Sequence, residues 1–185
     1  MNTITETRTQ QSEWTAASLG ALIWHILDTH HEYLKVELPK LSHLAHAAAV
    51  GGASEQPELL PALQKVFANL RSELESHMWK EEMVLFPMIL RLEEAQAAHQ
   101  PAPPSHCGSV GNPIRVMKME HVNAQQALAE LRRLTDDYTP PVVAPANFKT
   151  LVAGLAGLEA DLSHHIALED GILFPRAAEL EARLK

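Results

Sequence analysis

The sequence contains one motif twice: HMWKEEMVLFP at residues 77–87 and HIALEDGILFP at residues 165–175. Each copy has a His, a Glu four positions later, another acidic residue, and a Leu-Phe-Pro ending. The two copies lie 88 residues apart in a chain of 185. A repeat of this length and polarity predicts a fold with an internal two-fold, in which both His–Glu pairs have the same role.

Four long segments have the apolar periodicity of helices, at about 14–50, 57–98, 113–138 and 145–183. The connecting segments hold most of the Gly and Pro, and no segment shows the sustained alternation of a strand. The sequence therefore predicts an all-α fold over 14–185: an up-down-up-down antiparallel four-helix bundle with kinks at the two Leu-Phe-Pro motifs. The polar residues 1–13 are predicted to be a disordered tail.

Each predicted helix has apolar residues at alternating spacings of four and three, the pattern of a bundle core. We call this line of residues the 4-3 seam. The seam residues are, in helix order, Trp24, Leu27, His31, Leu34, Leu38 and Leu41; Leu70, Leu74, His77, Glu81, Val84 and Met88; Ile114, Met117, His121, Ala124, Leu128 and Leu131; and Leu155, Leu158, Leu162, His165, Glu169 and Ile172. In every helix a His stands where a Leu is expected, and in the second and fourth a Glu follows on the seam. All these polar side chains are predicted to point inward.

An ionised Glu in an apolar core costs free energy unless it finds a partner. A plain structural bundle would bury six such polar groups without one. A metal pair satisfies all of them, so the predicted ligands are His31, His77, Glu81, His121, His165 and Glu169. Four neutral imidazoles and two bridging carboxylates suit two iron ions, and also suit manganese or zinc.

The other candidate residues receive weaker predictions. His30 and His164 precede seam His residues and are expected to face about 100° away from the seam. A flanking position beside the site is predicted for His164. Glu120 either hydrogen-bonds near the site or is solvated. Surface or loop positions are predicted for His43, His46, Glu73, Glu75, His99, His106 and Cys107; a second metal site in the loop that holds the last three is the less favoured alternative.

Charge and composition exclude several classes of protein. The net charge of −8 makes a nucleic acid an unsuitable partner. No apolar stretch suits a bilayer span, and the chain opens without a signal sequence. A single Cys excludes an internal disulfide framework. The sequence thus predicts a soluble, cytoplasmic protein that has neither a nucleic acid nor a membrane as a partner.

Four stretches together resemble a known family: HHEYLKVELPKL, ELESHMWKEEMVLFPMI, GNPIRVMKMEH and DLSHHIALEDGILFPRA. They are similar to hemerythrin-like HHE cation-binding domains, and within these to the repair-of-iron-centres family of di-iron proteins. The resemblance implies that the same six His and Glu residues bind two non-haem iron ions bridged by carboxylate and oxygen. It also implies repair of iron–sulfur clusters damaged by nitric oxide or peroxide, with iron donation and iron–sulfur proteins as clients. The alternatives are an oxygen or nitric oxide binding or sensing module, and a nitric oxide or peroxide reductase.

Two departures from the family pattern stand out. Relatives often carry a fifth His late in the first helix, where this chain has Gly51 and Gly52. Either water or His46 is expected to take its place. Many relatives also carry a small N-terminal domain with a Cys pair, and about 13 residues precede Trp14 here.

Overall fold

The computed structural model describes residues 14–50 and 59–185. The predicted tail at 1–13, the Gly51-Gly52 pair and the predicted helix start at Pro57 lie outside these ranges. After a short helical stretch at 14–16, the described part contains seven α-helices: α1 Leu19–Ile26, α2 Glu32–Val50, α3 Leu59–Lys80, α4 Phe86–Ala97, α5 Gly111–Leu134, α6 Ala146–Leu168 and α7 Phe174–Arg183.

Single π-helical turns join several of these helices end to end. Leu27–His31 links α1 to α2, Glu81–Leu85 links α3 to α4, and Glu169–Leu173 links α6 to α7. The described chain thus forms four long helical rods, each packed against the next in sequence, with the fourth closing on the first. The predicted all-α four-helix bundle is confirmed.

The interruptions predicted at the Leu-Phe-Pro motifs take the form of these π turns. Pro87 and Pro175 stand in the first turns of α4 and α7, directly after a π turn. Proline has no N–H to donate and clashes with the preceding turn of a regular α-helix. A one-residue π bulge widens the helix at that point, so the chain continues in the same rod beyond each proline.

The π turns also explain where the seam prediction is wrong. Trp24 is 60% exposed rather than buried, and the buried face of α1 consists of Leu19, Leu22, Ile23 and Ile26. One extra residue in the Leu27–His31 turn rotates everything before it by about 100° relative to α2. An uninterrupted 4-3 pattern extended back from His31 therefore reaches the wrong face.

A second seam error has the same cause. Val84 is half-buried, whereas its neighbour Leu85 is buried. Both lie in the π turn after α3, where the helix is locally underwound. In α5, which runs without a π turn, every predicted seam residue is buried. The two errors, at Trp24 and Val84, lie before or inside a π turn, whereas Ile172, inside the third π turn, is buried as predicted.

Two buried apolar clusters stack along the bundle, and the polar seam residues lie between them. One cluster includes Leu34, Leu74 and Leu162, and the other includes Ile26, Leu85 and Ile172. In each rod the seam His or His–Glu pair falls between residues of the two clusters in the sequence. The candidate site is therefore a polar layer enclosed by hydrophobic packing above and below.

The internal two-fold extends to the ends of the bundle. Glu93 accepts hydrogen bonds from the backbone N–H groups of Leu19, at 2.7 Å, and Gly20, at 3.0 Å. Its counterpart 88 residues later, Glu181, accepts from the backbone N–H of Val110, at 2.9 Å, and from the Ser109 hydroxyl. Each carboxylate thus satisfies N–H groups at the start of another helix, where negative charge is also favoured.

Glu181→Ala is expected to lower the free energy of unfolding of the metal-free protein by about 1–3 kcal/mol, because it strands the buried Val110 N–H. Glu179→Ala, at an exposed position of the same helix, is the matched control and is expected to change it little. Urea denaturation followed by circular dichroism measures both. Equal midpoints for the two variants would contradict the capping role.

Candidate metal centre

The structure brings all six predicted ligand residues together in the layer between the two apolar clusters. Each is at most 4% exposed, and both Glu residues are fully buried. His31 ends one π turn, while Glu81 and Glu169 each begin one. π bulges occur frequently at functional sites, since they turn side chains to positions that a regular helix does not offer.

Each carboxylate faces two imidazoles from two different rods. The Oε2 atom of Glu81 lies 3.4 Å from His31 Nε2, and its Oε1 atom lies 3.3 Å from His77 Nε2. For Glu169 the corresponding distances are 3.2 Å from Oε1 to His165 Nε2 and 3.2 Å from Oε2 to His121 Nε2. Each carboxylate therefore has one oxygen close to each of two imidazoles.

Two ligand groups result, and they share both Glu residues. One contains His31, His165, Glu81 and Glu169; the other contains His77, His121 and the same two Glu residues. Within each group the donor atoms lie within 4.8 Å of one another. This is the arrangement that two cations bridged by two carboxylates require, with two imidazoles completing each position.

Several buried polar atoms of this layer lack hydrogen-bond partners. Across the described ranges, both oxygens of Glu81 and of Glu169, and Nε2 of His31 and of His165, form no hydrogen bond. Stranding so many acceptors in an apolar interior is costly, and a cation removes the cost. The donor set therefore fits a pair of metal ions, with the carboxylates and Nε2 atoms as ligands.

The outer nitrogens of three of the four rings are held by carboxylates. His31 Nδ1 lies 2.9 Å from Glu82, and His121 Nδ1 lies 3.2 Å from Asp170. Glu120 holds His77 Nδ1 at 2.9 Å and also contacts Lys80. Such contacts fix the tautomer, so that Nδ1–H donates outward and Nε2 is free to bind a metal.

The Phe residues of the Leu-Phe-Pro motifs support the same rings. Phe86 stacks on His31 with ring centroids 5.8 Å apart, and Phe174 stacks on His121 at 5.9 Å. Each Phe follows the Glu of one rod and packs on the His of a neighbouring rod. The repeated ending of the motif therefore contributes an aromatic wall to the His–Glu layer.

The carboxylates change the protonation of the rings. Burial opposes protonation of His77, but the charges of Glu81 and Glu169 and a contact with Glu120 outweigh it and raise the pKa of His77 to about 9. Burial likewise opposes ionisation of Glu169, yet His165 and His121 hold the pKa of that carboxyl well below its usual range. Burial opposes protonation of His31 and His121 as well, but their contacts with Glu81 and Glu169 respectively raise the pKa values of both rings, so the buried carboxylates favour protonation of these rings when no metal is bound.

Metal loading is therefore expected to release protons. Between the ordinary His value of 6.5 and about 9, His77 of the metal-free fold carries a proton that a metal must displace, so apparent affinity rises with pH across this window. The same shift stabilises the metal-free fold fully below pH 6.5, a contribution lost as the pH rises through about 9. Zn²⁺ titration calorimetry at pH 7.5 in two buffers of different ionisation enthalpy measures the release. Identical enthalpies in both buffers would contradict it.

Comparison with known proteins agrees with this geometry. The family described as hemerythrin HHE cation binding domain matches residues 22–177. The chain belongs to this family. The iron-sulfur cluster repair protein YtfE of Cronobacter sakazakii is 36% identical over 168 residues, covering 90% of this chain and 69% of the relative. A probable iron-sulfur cluster repair protein of Haemophilus influenzae is 37% identical over 167 residues, covering 89% and 67%.

Membership of the hemerythrin HHE family makes metal binding a property of this fold, while the identity of the six ligands stays a prediction. His46, the suggested replacement for a fifth ligand, is exposed and lies 3.4 Å from Gln64 on the next rod. It is 15 residues beyond His31, roughly 22 Å along the helix axis. The structure therefore places His46 far from the six predicted ligand residues.

The Pro-rich connector makes no further metal cluster among the described residues. His99 and His106 are exposed, and Cys107 is half-buried. The groups of His, Cys, Asp and Glu close enough to hold a cation, in the ranges that the structure describes, are the two that share Glu81 and Glu169. No helix in these ranges is long and apolar enough to cross a membrane.

Three neighbours of the site were not assigned from the sequence. Glu82 and Asp170 are the acidic residues that follow the Glu of each repeat, a signal visible in the motif itself. His30 was expected to face away, but it is 2% exposed and lies beside His165. It ends up in the interior because the π turn that contains it rotates the helix face.

Proposed function

We propose that this hemerythrin HHE domain binds two iron ions and repairs or maintains iron–sulfur clusters damaged by nitrosative or oxidative stress, by donating iron to them. Its clients are iron–sulfur proteins. The repair function is what the names of its relatives state for those proteins. The predicted location is the cytoplasm, and zinc or manganese are the alternatives to iron.

One observation carries the proposal: two ligand groups share the same two buried carboxylates. A single structural cation needs only one such group. Two adjacent positions allow iron to be stored as a pair and given up one ion at a time. Iron bound there would supply a redox-active pair that accepts a small ligand such as oxygen, nitric oxide or peroxide.

Different residues of the protein bind the metal and orient the metal-binding rings. The six His and Glu residues bind, and Glu82, Glu120 and Asp170 orient three of the rings through Nδ1. The apolar clusters on both sides exclude bulk water, which strengthens every electrostatic interaction inside. The bundle itself thus provides a dry, pre-arranged site with outward-facing supports.

The test is transfer of iron to a damaged client. Protein loaded with ⁵⁷Fe is incubated with an iron–sulfur enzyme of natural iron content whose cluster has been degraded with nitric oxide. The expected result is recovered activity together with a ⁵⁷Fe Mössbauer signal in the rebuilt cluster. Glu169→Ala is expected to fail, and Glu73→Ala, exposed on α3, to succeed. Recovery without ⁵⁷Fe in the client would contradict iron donation.

A second candidate function, reversible binding of a small gas, is favoured by a cavity beside one ligand group. It adjoins His77 and His121. Its other lining residues are Leu74, Ala124, Leu162, Glu73 and Glu120, and its volume is about 10 Å³. That is close to the smallest space that holds one water-sized molecule. Three of these lining side chains are apolar, and the two Glu side chains disfavour an anion, so the space suits a small uncharged diatomic ligand.

Filling this cavity separates the two functions. Ala124→Leu is expected to weaken nitric oxide binding to the iron-loaded protein at least about tenfold, since the ligand loses its space. Ala127→Leu, one turn further along and away from the cavity lining, is the control. Spectroscopic titration under anaerobic conditions measures both. Unchanged nitric oxide binding in Ala124→Leu would remove this candidate.

A further inference from the structure

The internal two-fold of the site is broken at one position, the residue before the first His of each half. In the second half this residue is Glu120, which precedes His121 and holds His77 Nδ1 at 2.9 Å. In the first half it is His30, which precedes His31. Because the two-fold relates His77 to His165, it places His30 where a carboxylate for His165 would stand.

The contacts of His30 follow this placement. Its ring stacks on His165 with centroids 5.2 Å apart and an angle of 2° between the planes. Its Nδ1 atom lies 2.8 Å from the carboxylate of Asp161, one helical turn before His165. His30 and His165 are both buried, so the two stacked rings lie inside the bundle, whereas Asp161 is half-buried.

His165 differs from the other three rings in its outer nitrogen. Its Nδ1 atom is buried and, among the residues that the structure describes, has no hydrogen-bond partner. Flat stacking on an anchored imidazole is therefore the contact that fixes the plane of this ring from outside. His31, His77 and His121 each have a carboxylate on Nδ1 instead.

We propose that His30, anchored by Asp161, positions His165 by ring stacking in place of a carboxylate, and that the metal position formed by His31 and His165 is consequently the first to release its ion. The inference rests on the proposed two-metal centre. It identifies which of the two ions is released first for donation, and it names His30 as the residue responsible.

The physical reason is the support that a carboxylate gives to an imidazole ligand. A carboxylate on Nδ1–H raises the basicity of Nε2, and losing such a partner typically costs 10–100-fold in metal affinity. The position formed by His77 and His121 has two supported rings, through Glu120 and Asp170. The position formed by His31 and His165 has one, through Glu82. Stacking orients His165 but adds no negative charge.

Release of metal to a chelator tests the proposal without any client protein. Protein loaded anaerobically with two Fe²⁺ ions is mixed with excess colorimetric chelator, and two phases of one ion each are expected, separated by about tenfold or more in rate. His30→Ala is expected to accelerate only the fast phase. Glu120→Gln, which weakens the support of His77, is expected to accelerate only the slow phase.

Two further variants separate positioning from general destabilisation. His30→Phe keeps a flat ring against His165, so its fast phase is expected to stay near that of the unsubstituted protein while His30→Ala does not. The double variant His30→Glu with Asp161→Asn places a carboxylate beside His165 Nδ1 and is expected to slow the fast phase. His43→Ala, at an exposed His, is the control that changes neither phase. Thermal melts of the metal-free variants identify any loss of folding.

The proposal is overturned if both ions leave at one rate, if His30→Ala accelerates both phases equally, or if His30→Phe behaves as His30→Ala. These outcomes concern release rates alone. Iron donation to a damaged cluster can succeed while the two ions leave at one rate, and it can fail while the two phases appear as expected. The experiment thus distinguishes failure of this inference from failure of the proposed function.

Discussion

Glu81→Ala and Glu169→Ala are each expected to lose both metal ions, not one. Each carboxylate places one oxygen in each ligand group, so a single substitution removes a ligand from both positions at once. A ligand that served one ion would leave the other bound. Metal analysis of protein purified and dialysed without added metal measures the effect, with stoichiometry expected to fall from two ions per chain to nearly none.

Glu73→Ala is the matched control for both variants. Glu73 lies on the same rod as Glu81, two turns earlier, and is exposed. It is expected to keep two ions per chain. Retention of one ion in Glu81→Ala would show that this carboxylate is not shared, and equal retention in all three variants would refute the ligand assignment.

Metal loading is expected to stabilise the protein by about 4 kcal/mol when the free metal concentration is 1,000 times the dissociation constant. For a chain of this size that corresponds to a rise in Tm of about 8–16 °C. The cause is the buried layer itself, in which both oxygens of Glu81 and of Glu169 lack hydrogen-bond partners within the described ranges. Binding supplies the missing partners only in the folded state.

Differential scanning calorimetry of the metal-free and loaded protein checks this expectation. Glu169→Ala, which cannot hold the metal pair, is the control and is expected to melt at the same temperature with and without metal. An unchanged Tm of the unsubstituted protein on metal loading would contradict the expectation that metal binding to Glu81 and Glu169 stabilises the fold.

Much of the fold was predictable because a bundle core imposes one repeating pattern. In α5 all six seam residues are buried as predicted. The His and Glu positions followed from the same pattern, since a polar residue on an apolar seam points inward whatever its chemistry. The motif repeat then located the internal two-fold, and the positions of Glu81 and Glu169 in corresponding π turns agree with it.

The π turns were not predictable from periodicity, and the errors at Trp24, Val84 and His30 all follow from them. A bulge adds one residue without changing the composition, so nothing in a 4-3 pattern marks it. The Leu-Phe-Pro endings were a partial signal, because a proline within a helical pattern needs a local break. No proline marks the Leu27–His31 turn in this way, and there the register was lost.

We expect two cations to lie side by side in the bundle, bridged by Glu81 and Glu169. Anomalous diffraction at the iron edge, from a crystal grown of the iron-loaded protein, tests it most directly. Two anomalous peaks are expected roughly 3.5–4 Å apart, one between His31 and His165 and the other between His77 and His121. A single peak, or two peaks that do not share both carboxylates, would contradict it.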